Sequence, residues 1–304
     1  MHRENLELLD DSLGIKILIQ DYKAYGVEFI RDGKKFKATA SREVVISGGS
    51  INSPQMLILS GIGPKEHLNE LDISVIQDLP VGKNLYDHQI YMAYLLSHGL
   101  LTVASAFTVD GYESLKKKDF VQMTEENWQA ISKPLAGKYM LGVFPILLHP
   151  KSKGTIKLKT KDLLDFSLLD SNCYSDNNSE DMKEMLSAIK DVFRISKTPA
   201  FQSIDSKYVS DPLPACSKYK HLSDNYWRCA LKQLTYPSLH PVGTCKMGPK
   251  SDKTAIVDNK LKVHGISELR VADASIIPVT LAAHTTAASY MVGEKASDLI
   301  RKEH

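Results

Sequence analysis

Ile15, Ile17 and Ile19 fall at every second position, the period expected of a strand. Val27-Glu28-Phe29-Ile30 follows a Tyr-Gly pair read as a turn, and Arg31-Asp32-Gly33-Lys34 is a hairpin signal ahead of Phe36. A β-meander is therefore expected over residues 13–46. Val44-Val45-Ile46 runs into Ser47-Gly48-Gly49-Ser50, with Ser53 and Pro54 read as N-cap and first-turn proline. The pattern predicts a strand, a glycine turn and a helix that stops at Ser60-Gly61-Ile62-Gly63-Pro64. A second helix is expected from near Lys65, fading by Asp72.

Residues 90–170 mix strand-like pieces, such as Gly154-Thr155-Ile156-Lys157-Leu158-Lys159, with charged loops. Met182, Met185, Leu186, Ile189, Val192 and Phe193 then share one face of a helix expected over 180–197. Glu180 and Asp181 frame its start, Lys197 and Pro199 its end. Residues 200–235 are polar and turn-rich and read as a long surface excursion. Ile256-Val257 and Leu269-Arg270-Val271-Ala272 read as short strands, and Thr285 to Ile300 as a closing helix.

Length and composition set bounds on this picture. With 304 residues, 43% of them hydrophobic, the chain can bury one large core or two. Lys and Arg total 38 against 36 Asp and Glu, so no basic field is expected and nucleic acid is not an expected partner. Lys116-Lys117-Lys118 reads as a solvated face. The best apolar run, Leu141 to Leu148, is short and broken by Pro145, so no membrane span is expected. Residues 1–11 are charged and offer no signal peptide.

Cys173, Cys216, Cys229 and Cys245 form no C-x-x-C pair, which argues against a zinc site or a thioredoxin-like motif. Cys216 and Cys229 either close a small disulfide loop or remain thiols. With the sequon Asn177-Asn178-Ser179, they tilt the expected location towards extracellular or lumenal.

Chemistry-bearing motifs change the picture most. Gly61-Ile62-Gly63 ends a helix and lacks a third glycine, and G-x-G-x-x-G occurs nowhere in the chain. No G-x-S-x-G elbow surrounds Ser53, which removes a serine hydrolase. His240 and Cys245 lack further ligands for a metal, so no metal is expected. The fifteen residues from Gly49 to Gly63, with Ser53-Pro54 and Ser60-Gly61-Ile62-Gly63, resemble the second signature of the glucose–methanol–choline (GMC) oxidoreductases, flavoproteins that oxidise alcohols. Val81-Gly82-Lys83-Asn84-Leu85-Tyr86-Asp87-His88 resembles the family's V-G-x-N-L-x-D-H loop. His240-Pro241-Val242-Gly243-Thr244-Cys245-Lys246-Met247-Gly248, Val263-His264-Gly265 and Leu269 to Pro278 extend the likeness over about residues 15–301.

The resemblance implies an α/β fold plus an antiparallel substrate-domain sheet (α+β), with a truncated FAD-binding domain lacking its N-terminal Rossmann βαβ unit. Residues 1–90 would be a partial FAD-binding domain, 91–235 a substrate-binding domain, and 236–304 a return to the FAD-binding domain. It implies FAD as cofactor, His240 as the base that removes a hydroxyl proton, hydride transfer to flavin N5, and His284 as the second active-site residue. Asp273 and Ala274 match positions at the ribityl–phosphate region, and Asn84 lies in the loop near the flavin. Thr285, Thr286 and Ala287 would direct the start of the closing helix at the flavin pyrimidine. Relatives usually carry Gly-Asn/His-Thr-Asn-Ala-Pro where this chain has Ala283-His284-Thr285-Thr286-Ala287-Ala288.

The implied substrate is a small alcohol or sugar and the acceptor a quinone or oxygen. Tyr226-Trp227-Arg228-Cys229 resembles the animal glucose-dehydrogenase-like branch. The other reading is a non-catalytic remnant with a binding role. His88, His149, His221 and His264 are expected to be structural.

Overall fold

The computed structural model describes residues 5–91, 93–96, 106–108, 124–135, 139–205, 207–208 and 210–304; Lys116-Lys117-Lys118 lies outside them. Strands β1 (Ser12–Gln20), β2 (Lys23–Arg31), β3 (Lys34–Thr39), β4 (Val44–Ile46) and, late in the chain, β5 (Leu269–Val271) belong to one compact unit. Among the described residues the helices of six residues or more are α1 (Gly49–Leu59), α2 (Lys65–Glu70), α3 (Glu125–Ser132), α4 (Glu180–Ser196), α5 (Asp224–Leu234) and α6 (Thr285–Glu303). The chain divides into two units. One holds Met1–Asp87, Lys153–Asn172 and His240–His304, the other His88–Ser152 and Cys173–Leu239. Residues 153–172, grouped with the middle region on sequence grounds, thus belong to the first unit.

In the first unit β1, β2 and β3 form the expected antiparallel meander. Asp32 and Gly33 both take positive φ, 51° and 70°, which suits the tight β2–β3 turn. The β1–β2 turn is made by Asp21 and Tyr22, also at positive φ, and not by Tyr25-Gly26, which lies inside β2. Gly26 has a different reason: a Cβ there would stand 2.2 Å from the Ala38 carbonyl oxygen of β3. Strand β4 pairs in parallel with β5, Val44 opposite Leu269 and Ile46 opposite Val271.

Helix α1 starts at Gly49, four residues ahead of Ser53, so Pro54 sits within it rather than at its first turn's edge. Proline has no N–H for the Ser50 carbonyl four residues back, a loss that ordinarily costs a helix about 3 kcal/mol. Thr244 Oγ1 donates to that carbonyl at 2.7 Å and replaces the missing bond. Ser53 is no N-cap; its hydroxyl accepts from Gly48 N–H at 2.9 Å. Beneath lie Ile17, Val44, Ile46, Leu57, Ile58, Ile62, Leu269 and Val271, all buried in one cluster.

Arg270 of β5 is wholly buried and pairs with Glu43 Oε2 at 2.7 Å and with Glu303 at the end of α6. A buried guanidinium demands such compensation, so the C-terminal end of α6 is fixed to the β4–β5 pair. Hydrogen bonds from Lys262 and Arg270 hold the Glu303 carboxyl at about 2, below the usual carboxylate range. Glu43 also faces Glu268 and His304, with potential ligand atoms within 4.8 Å of one another. Its carboxylate is already engaged by Arg270, and the cluster reads as an ion-pair network.

The second unit is built on α4 and α5. Met182, Met185, Leu186, Ile189 and Val192 of α4 are buried as the helical period predicts, in one cluster with Tyr226, Trp227, Ala230, Leu231 and Leu234 of α5. Asp181 is buried too, accepting the Lys151 and Ser152 amides at 2.7 and 2.9 Å. Helix α5 corrects the reading of 200–235 as a surface excursion. Its buried positions follow a helical spacing, and the Ser223 hydroxyl caps it by accepting from Tyr226 N–H. Cys216 and Cys229 are disulfide-bonded, Cα atoms 5.8 Å apart, tying a 3-10 turn to α5. Closing a loop of this size contributes about 3 kcal/mol. Cys173 and Cys245 form no disulfide among the described residues, and burial pushes the Cys245 thiol up.

Short antiparallel strands complete the unit. Lys207–Tyr208, Ala93–Leu96, Tyr139–Val143 and Ala106–Thr108 form one sheet, and Ile146–Leu147, Gln89–Tyr91 and Thr235–Pro237 another. Among the described residues, no helix is long and apolar enough to cross a membrane.

Candidate active site

Strand β5 ends at Val271, and Asp273 then caps the 3-10 turn Ala274–Ile276 through its Oδ1, which accepts Ser275 N–H at 2.8 Å. Its Oδ2 accepts from Gly49 N–H at 3.0 Å and from the Ser53 hydroxyl at 2.5 Å. A buried carboxylate therefore occupies the positive N-terminal end of α1. Both oxygens are engaged by protein donors, so any cofactor contact made here falls to backbone groups or to remaining lone pairs. Ala274 packs against the small cluster of Tyr86, Val242, Ile277 and Ala288.

The His240 segment is held from several sides. Its backbone N–H donates to Asp87 Oδ1 at 3.0 Å, and the Pro241 carbonyl accepts the Ser50 hydroxyl at 2.6 Å. Val242 and Tyr86 exchange both backbone bonds, at 2.9 and 3.0 Å. Asn84 Nδ2 donates to the carbonyls of Gly243 and Pro278, at 3.4 and 3.2 Å, linking this segment to the stretch ahead of α6. Gly243 has φ 85°, and a Cβ on it would meet the Asn84 carbonyl at 2.4 Å, so no larger residue fits that approach.

The segment delivers His240 to His284. His284 Nδ1 and His240 Nε2 are 2.8 Å apart, with ring planes at 85°. A bond of that length carries one proton between two nitrogens, one of which must be bare. His240 is half-buried and His284 exposed. His284 is also the N-cap residue of α6, yet its side chain makes no capping bond. The first-turn positions Thr285, Thr286 and Ala287 therefore start a 19-residue helix without a side-chain cap, and Thr286 and Ala287 face solvent.

Of the residues singled out from sequence, His240, His284 and the start of α6 come together in one place. Asn84 bonds the Gly243 and Pro278 carbonyls of that place, Asp273 lies at the start of α1, and Ala274 packs against Tyr86, Val242, Ile277 and Ala288. Asp87, Ser50 and Thr244 were not singled out. Asp87 stood in the V-G-x-N-L-x-D-H stretch, but the partners of Ser50 and Thr244 are about 190 residues away and leave no local signal. His264 and His221 have structural partners, the Gly248 carbonyl and the Tyr226 ring.

Two GMC oxidoreductase family models match the chain, the N-terminal one over residues 1–90 and the C-terminal one over 150–293. The chain belongs to the GMC oxidoreductases. This GMC chain is 32% identical to glucose dehydrogenase (FAD, quinone) of Drosophila pseudoobscura pseudoobscura, over 99% of its own length and 54% of the relative's. It is 33% identical to alcohol dehydrogenase (acceptor) of Pseudomonas putida, over 98% of its length and 58% of the relative's. Pyridoxine 4-oxidase from Mesorbium loti shares the fold, with a TM-score of 0.77 and 22% identity over 96% of this chain and 58% of that one. The chain thus spans somewhat over half the length of these relatives. Because the N-terminal GMC model itself matches residues 1–90, the match gives no support to the expected truncation of that domain.

Proposed function

We propose that this GMC chain takes part in FAD-dependent oxidation of a CH–OH donor, an alcohol or sugar, with His240 as the base. The observation that carries the reading is the 2.8 Å contact between His284 Nδ1 and His240 Nε2. His240 Nε2 has a single lone pair, which is occupied in the tautomer where His284 donates, so the substrate hydroxyl displaces His284 from it and gives its proton to Nε2. His284 Nδ1–H, released from Nε2, donates to the substrate oxygen and shares the charge that develops there as the proton leaves.

The residues present fit the ring end of the cofactor. The uncapped first turn of α6 offers exposed amide positions at Thr286 and Ala287 beside the histidine pair, a setting suited to negative charge. They do not supply a phosphate cradle. No G-x-G-x-x-G is present, and the other well-placed helix start, that of α1, is filled by Asp273. When bound, FAD supplies the hydride acceptor at N5. Asn84, Ser50 and Asp87 keep the His240 segment in place for the proton transfer.

The electron acceptor is a quinone or oxygen, in keeping with relatives named as a quinone-linked dehydrogenase and as oxidases. The Cys216–Cys229 disulfide favours an oxidising, extracellular or lumenal setting. The test is dye-coupled turnover of the flavin-loaded protein with sugars and alcohols. His240→Ala is expected to lower kcat by about 10²–10⁴ with flavin binding retained. Unchanged turnover in that variant would remove His240 as the base.

A further inference from the structure

We propose that Asn177 is an N-glycan acceptor. Asn177, Asn178 and Ser179 are all exposed, in the loop that leads into α4. The position after Asn177 is not proline, so the N-x-S acceptor pattern is complete. Ser179 stands at the N-cap of α4 but has φ 53°, and its hydroxyl makes no capping bond. Asp176 takes that work, accepting Glu180 N–H at 2.5 Å. Neither the acceptor amide nor the serine hydroxyl has a hydrogen-bond partner among the described residues, so a glycan displaces nothing in the fold.

The disulfide within the same unit favours the oxidising setting in which such transfer takes place. The Asn177 amide nitrogen would attack the anomeric carbon of a lipid pyrophosphate-linked oligosaccharide. The N–C bond forms, the C–O bond to phosphate breaks, the amide proton leaves and the lipid pyrophosphate departs.

The test is secretion of the full chain from eukaryotic cells, followed by peptide mass analysis before and after amidase removal of N-glycans. A glycopeptide spanning Asn177 is expected, converted by the amidase to a peptide with Asp at 177. Asn177→Gln and Ser179→Ala should each abolish it, and Asn178→Gln should keep it. Recovery of unmodified Asn177 peptide from secreted, disulfide-bonded protein would overturn the proposal, as would modification that persists in Ser179→Ala.

A different observation points to a positioning residue, and this second inference rests on His240 being the base. The geometry assigns that role to Asp87, whose Oδ1 accepts the His240 backbone N–H at 3.0 Å. The Ser50 hydroxyl holds the Pro241 carbonyl at 2.6 Å, so the segment is tethered at the peptide before His240 and again at the peptide after Pro241. A displacement of about 1 Å at a reacting group can cost about 10²-fold in rate, enough for such a tether to matter.

The test is nitrogen NMR of the histidine-labelled chain, reading the bond between His240 Nε2 and His284 Nδ1. Asp87→Ala should lose that signal, and Asp87→Asn should keep it because the carboxamide oxygen still accepts. In turnover, Asp87→Ala should lower kcat about 10–100-fold with KM within about twofold. Persistence of the pairing signal in Asp87→Ala would overturn the assignment. If that variant does not fold, loss of the signal in folded Asp87→Asn would overturn it equally. Should His240→Ala retain turnover while Asp87→Ala still loses the pairing signal, the base reading fails and the positioning role stands.

Discussion

Helices α1 and α6 both begin against the His240 segment, α1 through the Ser50–Pro241 bond and α6 through the histidine pair, yet their N-termini are opposite in kind. That of α1 is closed by the Asp273 carboxylate, which accepts Gly49 N–H and the Ser53 hydroxyl. That of α6 has no side-chain cap and opens on solvent at Thr286 and Ala287. A helix start is attractive to any anion, so filling one with an internal carboxylate removes it as a ligand site and turns it into scaffold. The difference teaches where a negative group can settle: beside the histidines and not at the glycine turn, although the glycine turn looks more like a nucleotide motif.

Opening the closed end should have the largest effect. Asp273→Ala strands three donors, two of them backbone amides, and is expected to cost about 3 kcal/mol or more in a urea titration. Sulfate should then protect the variant more than the parent protein, because the end of α1 is exposed to it; equal protection would show that this end was never an anion site. Removing the side-chain donor to α1, Thr244→Val, leaves the Ser50 carbonyl unpaired beside Pro54 and should cost about 1–2 kcal/mol by the same measurement.

Closing the open end should act in the other direction. His284→Asp places a good capping side chain on α6 and is expected to raise stability by about 0.5–1 kcal/mol while abolishing turnover. A loss of stability instead would mean that the histidine pair, not function, dictates the start of α6. The smallest effect lies at the far end of that helix. Glu303 has a depressed carboxyl pKa of about 2, so its contribution is full above the ordinary carboxylate range and lost as pH falls through about 2. Glu303→Gln should flatten the acid side of a melting-temperature profile, and an unchanged profile would show that its pairs with Lys262 and Arg270 contribute nothing.

How much of this was legible depended on distance along the chain. The Asp32-Gly33 turn, the buried face of α4 and the helix after His284 follow local patterns and stand where the period puts them. Gly26 was misread because its constraint, the Ala38 carbonyl across β3, is tertiary. Helix α1 begins ahead of Ser53 because the missing bond at Pro54 is supplied by Thr244, far along the sequence. Helix α5 was passed over among polar neighbours, although Tyr226, Trp227, Ala230, Leu231 and Leu234 carry a helical spacing. The histidine pair was named from motif positions alone, whereas Asp87 and Ser50 emerge only once the fold places them around His240.

The account turns on His240 taking the substrate proton, and the most direct measurement is anaerobic single-turnover reduction of the bound flavin by an alcohol or sugar. The parent protein should bleach the flavin in a single fast phase. His240→Ala should bleach it about 10²–10⁴ times more slowly with the flavin still bound. Reduction of His240→Ala at the parent rate would contradict the account.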